Sequence, residues 1–216
     1  MRRKVACSEG VIIADIDGIS VEWLGHDTFR IEHAGVKIYI DPIRIAAEDR
    51  ADFILITHDH FDHCEPSSVG KLKGPNTMVI APFGCMVKLG GFSEISQGQT
   101  IKEKGIVIEA VAAYNIGKPY HPRGIGVGYV ITIGGKRIYH AGDTDRIPEM
   151  KKIRNIDIAL LPISGTYVMN VHEAAAAANE DIQPRVAIPM HYGTLSGNST
   201  DADTFSRACS CKVVLL

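Results

Sequence analysis

Residues 57–63 read Thr57-His58-Asp59-His60-Phe61-Asp62-His63 and directly follow an apolar run, Phe53-Ile54-Leu55-Ile56. That juxtaposition constrains the fold: a buried strand must carry a loop crowded with imidazoles and carboxylates to a place where they converge. These groups are the ligands of Zn²⁺ and its first-row neighbours. A lone histidine is usually a satisfied structural residue, and a surface patch of histidines is the bland reading of this run. The strand immediately ahead of it favours a site.

The rest of the chain reads as strands and a few helices. Gly10 to Ile16, Ser20 to Leu24, Thr28 to Glu32 and Val36 to Ile40 are short β-branched runs broken by Asp17-Gly18, Gly25-His26 and Ala34-Gly35, the pattern of hairpins. Phe53 to Thr57 is continuously apolar, as in a strand buried on both faces. Thr77 to Pro82 is a further strand, with a helix near Gly84 to Leu89. Ile106 to Ala113, Gly128 to Ile133, Lys136 to His140, Ile156 to Leu161 and Val186 to Pro189 repeat the style. Val171 to Asn179 is the clearest helix, with Asn170 as N-cap and Glu173 three residues on. The mixture of hairpins and crossovers predicts an α/β sandwich with mixed sheets, in one domain spanning 1–216.

A metal hydrolase must make hydroxide near neutral pH, polarise the scissile group and keep coordination positions open. Two ions need six or seven ligands, one of them shared. The sequence offers His58, His60, Asp62 and His63, then Asp143 after Ile138-Tyr139-His140-Ala141-Gly142, then His191 after Ala187-Ile188-Pro189-Met190. Each follows a strand, the usual place for sites in α/β folds.

This H-x-H-x-D-H, strand-Gly-Asp, strand-His order resembles the metallo-β-lactamase superfamily. Trp23-Leu24-Gly25-His26, Tyr39-Ile40-Asp41-Pro42, His140-Ala141-Gly142-Asp143-Thr144, Leu161-Pro162-Ile163 and Pro189-Met190-His191-Tyr192 extend the likeness from about Ser20 to His191. The wording is similar to the small metal-dependent hydrolase branch that includes ascorbate-6-phosphate lactonases and phospholipase-D-like acylethanolamine hydrolases. The resemblance implies an αββα four-layer sandwich of two mixed β-sheets. It implies two divalent ions, zinc first, with manganese or iron as alternatives. His58 and His60 would hold one, Asp62, His63 and His191 the other, with Asp143 bridging. Asp41 would orient the ligand loop by fixing a histidine tautomer.

One departure stands out. Relatives supply a third histidine to the first metal from a strand end, where this chain has Val111-Ala112-Ala113-Tyr114-Asn115. Either His121, in Lys118-Pro119-Tyr120-His121-Pro122-Arg123, reaches back to ligate, which is the preferred reading, or His58, His60, Asp143 and water suffice. His26 either lines the pocket or hydrogen-bonds a turn, and His140 braces the site rather than binding metal. Lys118 and Arg123 form a basic group suited to a substrate phosphate or carboxylate. Tyr167 is a candidate pocket wall. His172 either faces the pocket or is an exposed residue at a helix start.

The expected function is therefore hydrolysis of an ester, lactone or phosphoester of a small anionic substrate by a metal-bound hydroxide. Asp62 and Asp143 are the central carboxylates. The competing reading is a non-catalytic metal sensor whose first site is degraded at Tyr114. A net charge of −2 offers no global field for nucleic acid or anionic membrane. Five cysteines without a C-x-x-C pair favour reduced thiols and a cytoplasmic setting. After Met1-Arg2-Arg3-Lys4 no apolar leader follows, and no apolar stretch approaches a membrane span. A small-molecule substrate is the partner expected, and self-association as a homo-oligomer is left open.

Overall fold

A computed structural model describes residues 6–8, 11–46, 49–193 and 195–216. Met1 to Lys4 and Gly10, used above for the leader and the first strand's start, lie outside the described residues. The chain divides into two compact units, Met1–Ile95 with Leu216, and Ser96–Leu215. Each unit carries one mixed sheet.

The first sheet has eight strands in sequence order: β1 (Ala6–Ser8), β2 (Val11–Ile16), β3 (Ile19–Gly25), β4 (Thr28–His33), β5 (Val36–Ile40), β6 (Phe53–Leu55), β7 (Met78–Ala81) and β8 (Ser93–Glu94). β1 to β5 run as antiparallel hairpins; from β5 onward the pairing is parallel, with Ile38 opposite Phe53 and Ile40 opposite Leu55. Parallel pairs need crossovers, supplied by α1 (Pro66–Leu72) and α2 (Met86–Leu89), the latter entered through a 3₁₀ turn, Phe83–Cys85. Val69 and Leu72 of α1 pack on Ile54, Ile56, Val79 and Ala81, with Cys64 and Cys85 in the same cluster. Phe53, Leu55 and Ile80 of these strands are fully buried as well, which is why β6 and β7 read as unbroken apolar runs.

The second sheet repeats the plan: β9 (Thr100–Glu103), β10 (Ile106–Ala112), β11 (Val127–Ile133) and β12 (Lys136–His140) are antiparallel, then β13 (Ile158–Pro162), β14 (Val186–Met190) and β15 (Lys212–Val213) pair parallel. Gly134 and Gly135 turn β11 into β12 with positive φ at both positions, the requirement of a tight type I′ hairpin. α3 (Val171–Ala176) opens with a full capping box between Asn170 and Glu173. It stops three residues short of the expected Asn179, because Ala177–Ile182 widens into a π-helix before Gln183 ends it left-handed. α4 (Thr200–Ala208) follows β14, burying Ala202 and Phe205. Among the described residues no helix is long and apolar enough to cross a membrane.

In both units most of the candidate ligands, and Asp41 with them, follow the C-terminal ends of strands at or beyond the switch from antiparallel to parallel pairing. Asp41 follows β5, His58 to His63 follow β6, Asp143 follows β12 and His191 follows β14. Strands anchor the backbone on one side of each of these residues, so their side chains are fixed in place.

Candidate metal centre

In the first unit the loop after β6 is organised around Asp41, which is fully buried. Its Oδ1 accepts from the Thr57 backbone N–H (2.7 Å), and its Oδ2 accepts from the Thr57 hydroxyl (2.6 Å) and from His63 Nδ1 (2.7 Å). With its single proton on Asp41, the Thr57 hydroxyl must accept from His58 Nδ1 at 3.0 Å. One carboxylate thus sets the tautomer of two histidines, putting the proton of each ring on Nδ1 and leaving Nε2 able to ligate a metal. The rings of His58 and His60 lie 4.5 Å apart and those of His58 and His63 4.1 Å apart, too crowded for independent surface residues.

His26 is buried, and its Nε2 lies 3.1 Å from Asp62 Oδ2. Burial works against the Asp62 charge, but the His26 hydrogen bond and the nearby His63 ring outweigh it and hold the carboxyl at about 2. Asp62 is therefore an anion at any physiological pH. His26 and Asp41 both have positive φ, 52° and 44°, although neither is glycine. A left-handed backbone at such residues persists only where surrounding contacts enforce it. Here the enforcing contacts are the Trp23 indole N–H to the His26 carbonyl (2.7 Å) and the Thr28 hydroxyl to the Asp41 carbonyl (2.6 Å).

The second unit builds a matching set. His121 Nε2 and His191 Nε2 both approach one atom, Asp143 Oδ2, at 3.1 and 3.2 Å. All three side chains are buried. His121 Nδ1 faces two acceptors, Asn115 Oδ1 (3.0 Å) and the Tyr167 carbonyl (3.2 Å), so the ring proton is on Nδ1. His191 Nδ1 is met by two hydroxyls, Ser164 and Ser196, each at 2.9 Å, and His191 also has positive φ, 56°. His140 is fully buried and accepts from the Gly142 backbone N–H at 3.2 Å, which makes it a brace of the turn before Asp143.

Gly128 of β11 allows this turn to lie where it does. A Cβ there would meet the Ala141 carbonyl oxygen at 2.8 Å and the His140 carbonyl oxygen at 2.9 Å. Gly128→Ala is expected to cost about 1–3 kcal/mol, the usual penalty for overpacking. Chemical denaturation measures that loss, and a parallel fall in bound metal reports displacement of Asp143.

Tyr114 does not occupy a ligand position. Its hydroxyl donates to Glu149 (2.9 Å) and the Arg123 guanidinium stacks over its ring, 5.0 Å from the centroid. His121 reaches Asp143 because the loop that carries it is tied down by a residue the sequence pattern does not single out, Asp145. Its carboxylate accepts from Asn115 (3.2 Å), the Ile116 backbone N–H (2.8 Å) and Lys118 (2.6 Å). Lys118 also donates to the Val168 carbonyl at 2.8 Å, so its charge is engaged in holding this loop. Arg123 pairs with Glu149 at 2.5 Å. The side chains of Tyr167 and His172 are exposed, Tyr167 resting edge-on against Tyr120. Thr57, Asn115, Asp145, Ser164 and Ser196 are the positioning residues that the sequence reading missed. Thr57 and Asp145 had a signal, since each sits within two residues of a candidate ligand.

Known proteins share this chain's sequence and fold. Residues 20–191 match the family described as the β-lactamase superfamily domain. A UPF0173 protein of Pyrococcus abyssi is 36% identical over 193 residues, covering 85% of this chain and 88% of its own length. A UPF0173 metal-dependent hydrolase of Thermoplasma volcanium is 37% identical over 193 residues, covering 82% and 84%. Among solved structures, a Parabacteroides distasonis protein designated a metal-dependent hydrolase aligns with a TM-score of 0.83 at 34% identity, covering 91% of this chain and 92% of its own. Igni18, a metallo hydrolase from Ignicoccus hospitalis, aligns with a TM-score of 0.76 at 28% identity, covering 92% and 94%.

Proposed function

The chain belongs to the β-lactamase superfamily domain family and has its α/β fold of two mixed sheets, and from that premise we propose a metal-dependent hydrolase of small anionic esters, lactones or phosphoesters. The observation that carries this reading is the approach of His121 and His191 to one oxygen of Asp143. The Nδ1 proton of His121 turns a lone pair toward a carboxylate 3.1 Å away, an arrangement that a second proton or a cation must relieve. The chemistry of the donor set suits a divalent ion of the zinc, manganese or iron kind.

In this proposal His58, His60, Asp62 and His63 of the first unit and His121, Asp143 and His191 of the second would supply the ligands of two divalent ions. Divalent cations so held supply polarisation of the scissile group and bring the pKa of water down toward about 7. The chain's own part is preorganisation. Asp41 and Thr57 hold the rings of His58 and His63, His26 holds Asp62, and Asn115 and Asp145 hold His121. Arg123, whose side chain is 65% exposed, together with Tyr167 and His172, would meet the substrate, the guanidinium receiving its anionic group. Relatives named as metal-dependent hydrolases support the reaction class. The four described cysteines are free thiols, which supports a cytoplasmic setting.

Purified protein is expected to carry about two ions per chain, measured by plasma mass spectrometry, and to turn over members of an ester, lactone and phosphodiester panel. His60→Ala should abolish that turnover. Full metal loading with no turnover across the panel would replace the enzyme by a metal sensor. His121→Ala should lower metal content, and unchanged loading would remove His121 from the ligand set.

A further inference from the structure

The second unit holds a cavity of about 220 Å³ over the face of its sheet that Glu109, Val130 and Arg137 share. None of the metal-ligating residues lines it. Its floor is apolar, made by Val111 and Val130 of the sheet and by Ile153 just beyond the 3₁₀ turn Pro148–Lys152. Its rim is charged. Arg137 Nη1 donates to Glu109 at 2.7 Å, while its Nε is buried and has no hydrogen-bond partner among the described residues.

Geometry decides what could satisfy that donor. Nε and Nη2 form one planar edge of a guanidinium, spaced for the two oxygens of a carboxylate, and Glu109 uses the other nitrogen. The second carboxylate of the lining, Glu149, is already held by Tyr114 and Arg123. With each carboxylate matched by an arginine, Lys152, exposed on the rim, leaves the cavity a surplus positive charge. The volume lies below the span of about 300–1,000 Å³ usual for drug-sized ligands, so the occupant is small.

We propose that this cavity is a binding site for a small organic carboxylate, its apolar body on Val111, Val130 and Ile153 and its carboxylate on the Arg137 guanidinium beside Lys152. The proposal is independent of the metal centre, although Glu149 connects the cavity wall to Tyr114.

Benzoate, a planar carboxylate on an apolar ring, is a suitable probe. Titrated into the ¹⁵N-labelled full chain, it should shift the amide resonances of Val111, Val130, Arg137 and Ile153 saturably. Arg137→Lys, which keeps the charge and removes the fork, should weaken binding about tenfold or more. Val111→Trp should abolish it by filling the cavity. Lys152→Glu, on the exposed rim where folding is not at stake, should weaken it several-fold. The amide spectrum of each variant reports whether it is folded. Three outcomes would overturn the proposal: no saturable shift at these residues, shifts centred on Asp143 instead, or an equal response to inorganic phosphate, which lacks the apolar body.

Discussion

Asp143→Asn is expected to reduce kcat/KM by about a thousandfold or more, corresponding to at least about 4 kcal/mol of lost transition-state stabilisation. The substitution is nearly isosteric, so the loop after β12 should keep its course through the His140 brace and the Gly128 contact. What changes is charge. In the protein Oδ2 of Asp143 lies 3.1 and 3.2 Å from two imidazole nitrogens, and an anion at this point is the group that would offset the charge of a divalent ion held there. An amide oxygen is a weak bridging ligand, and its NH₂ cannot ligate at all. Metal content should therefore fall together with activity while the far-UV circular dichroism is unchanged. A variant that kept both its ions and its rate would remove Asp143 from the centre. One that kept its ions but lost its rate would give it a role in the reaction beyond holding metal.

The two ligand sets were not equally legible in the sequence. In the first unit the candidate ligands are local: His58, His60, Asp62 and His63 lie on one loop after one strand, so periodicity and residue type suffice to single them out. Asp41 is near in space because β5 and β6 pair in parallel register, with Ile40 opposite Leu55, which delivers both strand ends to one edge. In the second unit the candidate ligands are scattered. His121 is no strand-end residue, and nothing in its spacing reveals that Asn115 and Asp145 fold its loop back toward Asp143. That information resides in hydrogen bonds spanning about thirty residues, as from Asn115 to Asp145, which no local pattern encodes. Lys118 and Arg123 were legible as a basic group, but the carboxylates that hold them were not, for the same reason. Their partners Asp145 and Glu149 come from other parts of the chain.

The elements overlooked in the sequence were the short or unpatterned ones. α1 has seven residues and opens with Pro66 at its first turn, a start signal that is clear only once Glu65 is recognised as the residue before it. α4 has Asp201 and Asp203 in its first turn, yet it buries only Ala202 and Phe205, too few to set up a visible period. β8 and β15 are two residues each and are defined by their neighbours rather than by their own residues. The parallel strands β6, β13 and β14, by contrast, were legible because burial along their whole length imposes apolar runs that few other structures need.

The second large effect is expected at a residue that touches no substrate. Asp41→Asn should lower stability by about 2–4 kcal/mol, since buried donors left unpaired cost about 1–3 kcal/mol each. It should also weaken metal affinity about 10–100-fold, as loss of an orienting partner does. The backbone is not at issue, because asparagine tolerates the left-handed conformation at φ 44° as well as aspartate does. The conflict lies in protons. Asp41 receives three donors, the Thr57 N–H, the Thr57 hydroxyl and His63 Nδ1. Asparagine offers one oxygen and one NH₂, so whichever way it turns, a donor faces a donor. If the NH₂ faces His63, the ring can relieve the clash only by moving its proton to Nε2, the atom that would ligate metal. If it faces the Thr57 amide, that buried N–H loses its acceptor. Denaturation with and without metal, combined with competition against a chelator, separates the two losses. Asp41→Ala removes the acceptor without imposing a donor, so Asn should be the more damaging for metal affinity. The opposite order would mean that Asp41 acts by filling space and not by fixing the tautomer of His63.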